Sequence, residues 1–236
     1  MTPAPRMVEV RKSILKQNDL IARELRQRFR DAGVFVASLV SSPGTGKTAL
    51  LERTLTQLRT RYRVAALVGD LATDNDAARL TRSGAMVKQI TTGTICHLEA
   101  AMIRSAVDGW ELAGLDFLFV ENVGNLVCPA SYDLGESLRF VAVSVTEGED
   151  KPLKYPTIFN SADVALVTKV DLAQAVEFDW DSSYRNIQAV RPGMRVFRLS
   201  AKTGQGMPEY LDLLETQLAE LRRVPGLGPL TDMGCR

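Results

Sequence analysis

An apolar segment of strand length runs directly into a glycine-bearing loop, and that loop opens a helical pattern. The apolar run VFVASLV covers 34–40, the loop SSPGTGKT covers 41–48, and the pattern TALLERTLTQLRTR begins at 48. The loop fits G-x-x-x-x-G-K-[ST] except at its first position, where Ser41 replaces glycine. Strand, loop and helix in this order predict a phosphate-binding loop.

The chemistry of phosphate explains the residue types in this loop. Backbone N–H groups and the helix N-terminus can surround a β-phosphate. Lys47 is expected to neutralise charge on the β- and γ-phosphates, and the Thr48 hydroxyl to ligate Mg²⁺. A glycine-rich turn followed by a surface lysine is the alternative interpretation. The predicted phosphate-binding residues are Ser42, Gly44, Thr45, Gly46, Lys47, Thr48 and Ala49.

Further apolar runs of strand length recur along the chain, separated mostly by segments long enough for helices. Strands that are apolar on both faces belong to a mainly parallel sheet that is covered by helices on both sides. The predicted fold class is therefore α/β, with a mainly parallel β-sheet flanked by helices. The remaining strand candidates are 63–69, 115–121, 139–145, 162–168 and 195–199.

Helical patterns are predicted on either side of this unit. Residues 7–32 place apolar residues at roughly helical spacing and end near Gly33, and a last helix is expected at about 206–223. Glycine and proline punctuate the residues that follow, where Cys235 is expected to be an exposed thiol. We therefore divide the chain into an N-terminal amphipathic helix, a phosphate-loop domain and a flexible C-terminal tail, with the boundaries 1–33, 34–223 and 224–236.

Carboxylates at strand ends are the natural partners of a magnesium ion beside the phosphates. Asp70 follows the strand candidate 63–69, and Glu121 ends the candidate 115–121. Either side chain can act through a water, and helix capping is the alternative role for a carboxylate in such a position. Asp74 and Asp76 are weaker candidates, for which capping of the next helix is the competing interpretation.

The sequence TKVD at 168–171 indicates which base is bound. Asp171 can accept hydrogen bonds from guanine N1–H and the 2-amino group, whereas adenine offers an acceptor at N1 and lacks the 2-amino donor. The Lys169 stem can lie along the purine face. Thr168 occupies the position where GTPases usually carry Asn. Its hydroxyl can still bond this loop to the phosphate loop, but it makes fewer hydrogen bonds than Asn would, so we expect a lower nucleotide affinity. The segment SAK can direct backbone N–H groups to the guanine 6-oxo group, through Ser200, Ala201 and Lys202.

Charge and hydropathy exclude other classes of protein. Twenty-nine basic and twenty-eight acidic residues leave a formal charge of +1, and no basic block has the density that nucleic-acid binding requires. The sequence contains neither a signal-peptide pattern nor an apolar run long enough for a membrane span. We expect a cytoplasmic protein without a nucleic-acid or membrane partner, and its three cysteines are expected to be reduced thiols.

The only histidine of the sequence, His97, directly follows Cys96. A CH dipeptide alone is a weak signal, because a lone cysteine is more often a small core residue. The other internal cysteine, Cys128, lies seven residues after Glu121. Two thiolates and one imidazole suit Zn²⁺ or Ni²⁺, but three ligands do not complete a tetrahedral structural site. The predicted metal site is therefore open or shared.

Six segments follow one another along the chain: SSPGTGKT, VGDLATDNDAARL, TTGTICHLEAAM, FVENVGNLVCPASYDLGE, SVTEGEDKPLKYP and TKVDL. In this order they resemble the hydrogenase nickel-incorporation GTPases of the SIMIBI class, the HypB family. The resemblance covers about residues 8–223, and ENVGNLVCPA and EGEDKPLKYP are its most specific parts. Accessory GTPases for urease and for cobalamin enzymes share the phosphate loop but not this set of motifs.

The resemblance implies a P-loop GTPase that hydrolyses GTP to GDP slowly. Lys47, Asp70 and Glu121, at the predicted phosphate and magnesium sites, are the predicted catalytic residues. The resemblance implies a homodimer in the GTP-bound state, a HypA-type nickel accessory protein as a partner, and the precursor of the [NiFe]-hydrogenase large subunit as the recipient of nickel. It also implies that the positions of Cys96, His97 and Cys128 bind Ni²⁺ or Zn²⁺ at the dimer interface. The CxxCGC motif or histidine-rich stretch of some members does not occur in this sequence.

A switching mechanism follows as a hypothesis. A bound γ-phosphate would order the turn from Glu121 to Gly124 and so move Cys128 relative to Cys96. Lys151 and Lys154 can reach the nucleotide or a partner subunit, or can be solvated surface lysines. Two other functions stay open: an accessory GTPase for urease or a cobalamin enzyme, and a nucleotide switch whose Cys/His cluster is a structural zinc site.

Overall fold

Seven parallel strands form one sheet within residues 6–70 and 75–223, which are the residues that the computed structural model describes. The strand order is β3-β2-β4-β1-β5-β6-β7, and every neighbouring pair is parallel. The phosphate-loop strand β1 therefore lies at the centre of the sheet. The strands are β1 (Phe35–Ser41), β2 (Val64–Asp70), β3 (Met86–Thr91), β4 (Phe117–Glu121), β5 (Leu138–Ser144), β6 (Val164–Thr168) and β7 (Arg195–Arg198).

In the described ranges, α-helices separate successive strands except β4 and β5, whose connection contains only a short 3₁₀ helix at Cys128–Ser131. The predicted first and last helices are confirmed with shifts of one residue at most, and the first ends before Gly33, whose φ of 69° stops it. The helices are α1 (Arg6–Asp31), α2 (Lys47–Leu58), α3 (Asn75–Thr81), α4 (Ala100–Ala106), α5 (Lys151–Lys154), α6 (Pro156–Ser161), α7 (Trp180–Val190) and α8 (Met207–Arg223).

Helices cover both faces of the sheet. On one face, leucines of α2 and α8 such as Leu55 and Leu214 join the buried side chains of the central strands. On the other face, α1 contributes Leu25 and Phe29 to a cluster that it shares with α4, and α6 and α7 cover the remaining strands. Each such buried side chain contributes on the order of 1.5–3 kcal/mol through burial. The predicted α/β class, with a mainly parallel sheet flanked by helices, is confirmed.

One strand was absent from the sequence prediction. β3 pairs with β2 at one edge of the sheet, and each of its residues is exposed or half-buried. Its polar members, Lys88 and Gln89, break the apolar run on which the prediction depended. The expectation that every strand is buried on both faces is therefore wrong for β3, and for β7 at the opposite edge, where Arg195 and Arg198 are exposed. Edge strands have only one neighbour, so they tolerate polar residues.

The carboxyl ends of all the strands lie along one edge of the sheet, since the strands are parallel. Ligands of open α/β sheets bind outside this edge. None of the helices in the described ranges is both long and apolar enough to cross a membrane. The predicted C-terminal tail at 224–236, with Cys235, and the candidate carboxylate Asp74 lie outside the described residues.

Candidate functional site

The loop between β1 and α2 has the local geometry of a phosphate loop. Gly46 precedes α2 with a φ of 94°, in the left-handed region, and Lys47 is the first residue of the helix. Ser41, at the position where the motif has glycine, is fully buried, and its hydroxyl donates to the backbone oxygen of Ser42 at 2.8 Å. The departure from the motif is therefore absorbed by a local hydrogen bond.

Glu147 holds this loop from the carboxyl end of β5. Its Oε2 lies 2.7 Å from the Thr45 hydroxyl and accepts from the Ser144 amide at 2.9 Å. Its Oε1 lies 3.3 Å from Lys151 Nζ, which also donates to Ser42 Oγ at 3.3 Å. Burial alone would raise the pKa of Glu147, but the hydrogen bonds from Thr45 and Ser144 and the charge of Lys151 outweigh it and lower that pKa.

Glu121 is a buried carboxylate at the end of β4, beside the start of α2. Its Oε1 accepts from the Thr48 hydroxyl at 2.7 Å and lies 3.7 Å from Lys47 Nζ. Its Oε2 is buried and has no hydrogen-bond partner among the described residues. Burial raises the pKa of Glu121 to about 7, although Lys47 and Thr48 pull it down. A second positive charge beside Oε2 would keep this carboxylate ionised.

A cavity of about 220 Å³ opens between the phosphate loop and the loops that follow β6 and β7. It brings together the phosphate-loop and base-reading residues of the prediction. Its lining includes Thr45, Gly46, Ala49, Thr168, Lys169, Asp171, Ala201 and Lys202.

Hydrogen bonds join the loops around this cavity to one another. The Thr168 hydroxyl lies 2.7 Å from the backbone oxygen of Thr45 in the phosphate loop and 3.2 Å from that of Val143. The Ser200 hydroxyl donates to Asp171 Oδ1 at 2.6 Å. Lys169 has a φ of 56°, which is uncommon for a residue with a side chain. This backbone conformation is one that functional loops hold under strain.

The other cluster of interest comprises Cys96, His97 and Cys128, and we call it the Cys/His cluster. Their candidate ligand atoms all lie within 4.8 Å of one another, and the Cys96 and Cys128 sulfurs are 3.1 Å apart. Both cysteines are half-buried, and Val127 beside Cys128 is 64% exposed, so the cluster lies at the surface. Hydrogen bonding with Cys128, together with burial, raises the pKa of the Cys96 thiol.

The His97 ring is buried and stacks against Tyr132, with ring centroids 4.0 Å apart. Both ring nitrogens are buried and lack a hydrogen-bond partner within the described ranges. Nε2 lies 3.4 Å from Glu99 Oε1 without hydrogen-bond geometry. Burial lowers the pKa of His97 more than Glu99 raises it. A neutral imidazole with unpaired nitrogens is the form that ligates transition metals.

Residues 121–128, which we call the linking segment, contact both sites. A Cβ on Gly124 would lie 3.1 Å from Pro43 of the phosphate loop, so the segment is packed directly against that loop. Asn122 Oδ1 accepts from the Leu98 amide at 3.1 Å, and Asn125 Nδ2 donates to the Cys96 oxygen at 3.2 Å. The segment therefore touches the phosphate loop on one side and the Cys/His cluster on the other.

Comparison with known proteins shows the family. Residues 35–198 match the family described as CobW/HypB/UreG, nucleotide-binding domain. The hydrogenase maturation factor HypB of Azotobacter chroococcum mcd 1 is 47% identical over 214 residues, which span 90% of this chain and 70% of that protein. The chain belongs to the HypB family.

Other HypB proteins extend the comparison. The hydrogenase/urease maturation factor HypB of Helicobacter hepaticus is 42% identical over 90% of this chain and 89% of its own. A crystal structure of HypB from Helicobacter pylori in complex with nickel aligns with a TM-score of 0.81 at 38% identity, and covers 86% of this chain and 96% of that one. The P-loop GTPase fold that the sequence predicts is thus the fold of the family.

The structure brings several residues of the predicted sites into contact. Thr48 and Glu121 are in contact, and Ser200 contacts Asp171. Asp70 ends β2, which neighbours β4 in the sheet, so its position matches that predicted for a strand-end carboxylate. The two candidate lysines differ. Lys151 reaches Ser42, whereas Lys154 pairs with Asp150 in an exposed ion pair.

Sequence reasoning missed three residues that hold these HypB loops together. Glu147 had a usable signal, because Ser144 and Glu147 form the S-x-x-E spacing of a capping box, which the structure contains. Asn122 and Asn125 had a weaker one. Both lie inside the motif ENVGNLVCPA, but only the fold shows that their amides reach across to the loop of Cys96.

Proposed function

We propose that this HypB-family protein is a slow GTPase and metallochaperone that helps to insert nickel into [NiFe]-hydrogenase, with nucleotide state controlling a Cys/His metal site. The observation that carries the proposal is the linking segment, which contacts both the phosphate loop and the Cys/His cluster. Two separate sites would support binding of a nucleotide and of a metal. A shared segment between them supports control of one by the other.

The cavity beside the phosphate loop supports guanine as the base. Asp171 is oriented by the Ser200 hydroxyl, which donates to Oδ1 at 2.6 Å. Each carboxylate oxygen keeps a lone pair, so the two oxygens can accept from guanine N1–H and the 2-amino group. Lys169 and Ala201 line the same cavity, at positions suited to the purine face and to the 6-oxo group. Adenine would leave Asp171 opposite an acceptor, which disfavours ATP.

The residues around Glu121 fit a magnesium ion. Oε2 of Glu121 is buried and unpaired within the described residues, and the Thr48 hydroxyl is adjacent to the same carboxylate. When bound, Mg²⁺ would supply positive charge to the β- and γ-phosphate oxygens. Lys47 would add charge from the phosphate side, and Asp70 and Glu121 would hold the water shell on the side of the sheet. Ser42, Gly44 and Gly124 would complete the phosphate contacts.

The Cys/His cluster fits a transition metal as cargo. Two sulfurs and an imidazole with unpaired nitrogens are ligands for Ni²⁺ or Zn²⁺. Three ligands at the protein surface leave a coordination position for a second copy of the chain or for a partner protein. This openness supports transfer of the metal more than permanent storage.

Nucleotide control would act through the linking segment. A γ-phosphate bound in the loop at Pro43 would meet Gly124, and Asn125 would carry any displacement to Cys96. We infer that GTP favours a homodimer whose interface includes the Cys/His cluster, and that hydrolysis releases it. The coupling is reciprocal, so a bound metal must also change nucleotide affinity or dimerisation.

The choice of recipient follows from the relatives. The names of the matching proteins favour hydrogenase. The family resemblance adds a HypA-type accessory protein as the nickel partner. The name of the Helicobacter hepaticus relative includes urease as well, so urease is the second candidate recipient. Reconstitution with apo-hydrogenase or apo-urease and a HypA-type protein separates the two, since nickel delivered only to urease would contradict the first assignment.

The decisive experiment measures metal stoichiometry and oligomeric state together. The full chain is titrated with Ni²⁺ and, separately, Zn²⁺ in the presence of GDP or a non-hydrolysable GTP analogue, and its mass in solution is measured by light scattering. Dimers and one metal per two chains that appear only with the GTP analogue support the proposal. Equal metal affinity, stoichiometry and mass with both nucleotides would overturn nucleotide control.

A further inference from the structure

Arg53 reaches from the helix of the phosphate loop to the backbone of the loop after β7. It lies on α2, which begins at Lys47, and its Nη1 donates to the Ala201 oxygen at 2.9 Å and to the Lys202 oxygen at 3.4 Å. Its Nε is buried and makes no hydrogen bond within the described residues. These carbonyl contacts are therefore what holds the guanidinium group in place.

Gly204 makes room for this contact. The loop closes with a hydrogen bond from the Gly204 amide to the Ser200 oxygen at 2.8 Å, and the φ of Gly204 is +89°. A Cβ at this position would lie 2.6 Å from Arg53 Nη2. A side chain at residue 204 would be strained at this φ and would push the Arg53 guanidinium out of its place.

Fixing the Ala201 oxygen also fixes an N–H group. The peptide unit between Ala201 and Lys202 is planar and trans, so the Lys202 N–H points opposite to the Ala201 carbonyl. Arg53 takes the carbonyl, and the N–H is directed away from it. In the described part of the chain, the Ala201 and Lys202 amides donate no hydrogen bond, and both residues line the cavity beside Asp171.

We propose that Arg53 is a positioning residue for base specificity, which fixes the Ala201–Lys202 peptide so that its N–H reads the 6-oxo group of the purine. The inference rests on the proposed binding of guanine nucleotides and names how one edge of the base is recognised. It divides the recognition into two parts. Asp171 reads N1–H and the 2-amino group, and the peptide held by Arg53 reads the oxygen at position 6.

The division can be tested with base analogues. GDP, 6-thio-GDP and inosine diphosphate are titrated into the full chain and into Arg53→Ala. The first analogue replaces only the 6-oxo oxygen by a weaker acceptor, and the second lacks only the 2-amino group. In Arg53→Ala we expect GDP to bind about 3- to 10-fold more weakly, the size of one hydrogen bond. The preference for GDP over 6-thio-GDP should fall by the same factor, and the preference over inosine diphosphate should stay unchanged.

The chain offers a matched control. Arg59 closes the same helix, its Nη1 donates to the Ser83 oxygen at 2.7 Å, and a Cβ on Gly84 would lie 2.3 Å from it. Arg59→Ala thus removes the same kind of contact from a loop that does not line the nucleotide cavity, and all three affinities should match the wild type. Arg53→Lys keeps the charge and should recover part of the 6-oxo preference.

The outcomes distinguish a failure of the guanine site from a failure of the role of Arg53. If the wild-type chain does not prefer GDP to ADP, the proposed guanine site itself is wrong. If the wild type prefers GDP to 6-thio-GDP and Arg53→Ala keeps the same ratio, Arg53 does not position the reading peptide. Equal weakening of all three nucleotides in Arg53→Ala would mean a general structural role and would also overturn the inference. Should Arg53→Ala fail to fold, the ratio in Arg53→Lys decides.

Discussion

The nucleotide cavity and the Cys/His cluster lie on the same edge of the sheet, but they differ in how far their polar groups are hydrogen-bonded. Around the cavity, the reading side chains are already joined by hydrogen bonds, such as Ser200 to Asp171 and Thr168 to Thr45. In the cluster, both nitrogens of His97 lack a hydrogen-bond partner among the described residues. The polar groups around the cavity pair with one another, whereas the imidazole nitrogens of the cluster have no pairing of this kind.

The difference predicts how each site fails. A preorganised site loses specificity when one reading group changes, because the remaining buried polar groups are then mismatched. A cluster of ligand atoms loses its metal but keeps its fold, since few protein contacts depend on those atoms. A substitution in the linking segment should have a third effect, which is to uncouple the two sites without weakening ligand binding at either.

The largest effect is expected for Asp171→Asn. The amide would present a donor to guanine N1–H, so GTP affinity should fall about 10³-fold or more, while xanthosine triphosphate should gain affinity. Calorimetric titration with both nucleotides measures the exchange. Asp181→Asn, an exposed carboxylate early in α7, is the control. Unchanged GTP binding in Asp171→Asn would contradict the base assignment. Unaltered nickel affinity in the absence of nucleotide would show that the substitution leaves the Cys/His cluster intact.

Replacing Cys96 and Cys128 together by alanine should have the next largest effect. Loss of partners outside the ligand shell already costs about 10- to 100-fold in metal affinity, so loss of two ligands should exceed about 100-fold for Ni²⁺ and Zn²⁺. Nucleotide affinity and the thermal midpoint should stay near the wild-type values. Cys235→Ala removes the remaining cysteine of the sequence as a control. If the double variant loses its fold as well as its metal, the cluster is a structural zinc site.

Asn125→Ala should weaken the coupling between the nucleotide site and the Cys/His cluster and leave each site able to bind its own ligand. It removes the hydrogen bond to the Cys96 oxygen, so the dependence of metal affinity on nucleotide should shrink. Coupling of this kind is typically about 5- to 150-fold, and we expect most of it to disappear while affinity for GDP alone is retained. Asn186→Ala, whose Nδ2 donates to the Glu149 oxygen, removes a comparable bond elsewhere. A full nucleotide effect in Asn125→Ala would place the coupling outside this residue.

The smallest effect concerns the pH dependence of the phosphate loop. The pKa of Glu147 is lowered in the folded protein, so its carboxylate adds stability above its unfolded pKa of about 4.3. That contribution is lost as pH falls through the lower, folded pKa. Glu147→Gln should therefore reduce stability by about 1 kcal/mol at neutral pH, and the difference from the wild type should shrink under acid conditions. Urea unfolding of both proteins across this range measures it. A difference that does not depend on pH would contradict the role of the charge.

The parts of the molecule that the sequence predicted well are those whose local pattern is sufficient. The phosphate loop was found because its glycines, lysine and threonine occur at fixed spacing, and the central strands because both of their faces are apolar. Thr168 was expected to tie its loop to the phosphate loop, and the structure has that hydrogen bond. β3 was missed, since a half-exposed edge strand has no continuous apolar run.

The remaining residues could not be predicted because their partners are distant in sequence. Arg53 is separated by 148 residues from the carbonyl that it holds, and in the sequence it resembles any charged residue on the outer side of a helix. Such contacts depend on the strand order of the sheet, which the pattern of apolar runs does not specify.

The parallel arrangement of the strands has a practical consequence for how this protein can be handled. Every loop at the amino ends of the strands lies a full strand length, roughly 15–20 Å, from the edge that carries both candidate sites. The turn at 191–194 is such a loop, and its Pro192 is exposed. A fluorophore, affinity peptide or surface tether attached there would leave the opposite edge open to nucleotide, metal and partner proteins. Single-molecule measurements could then follow all three on the same immobilised chain.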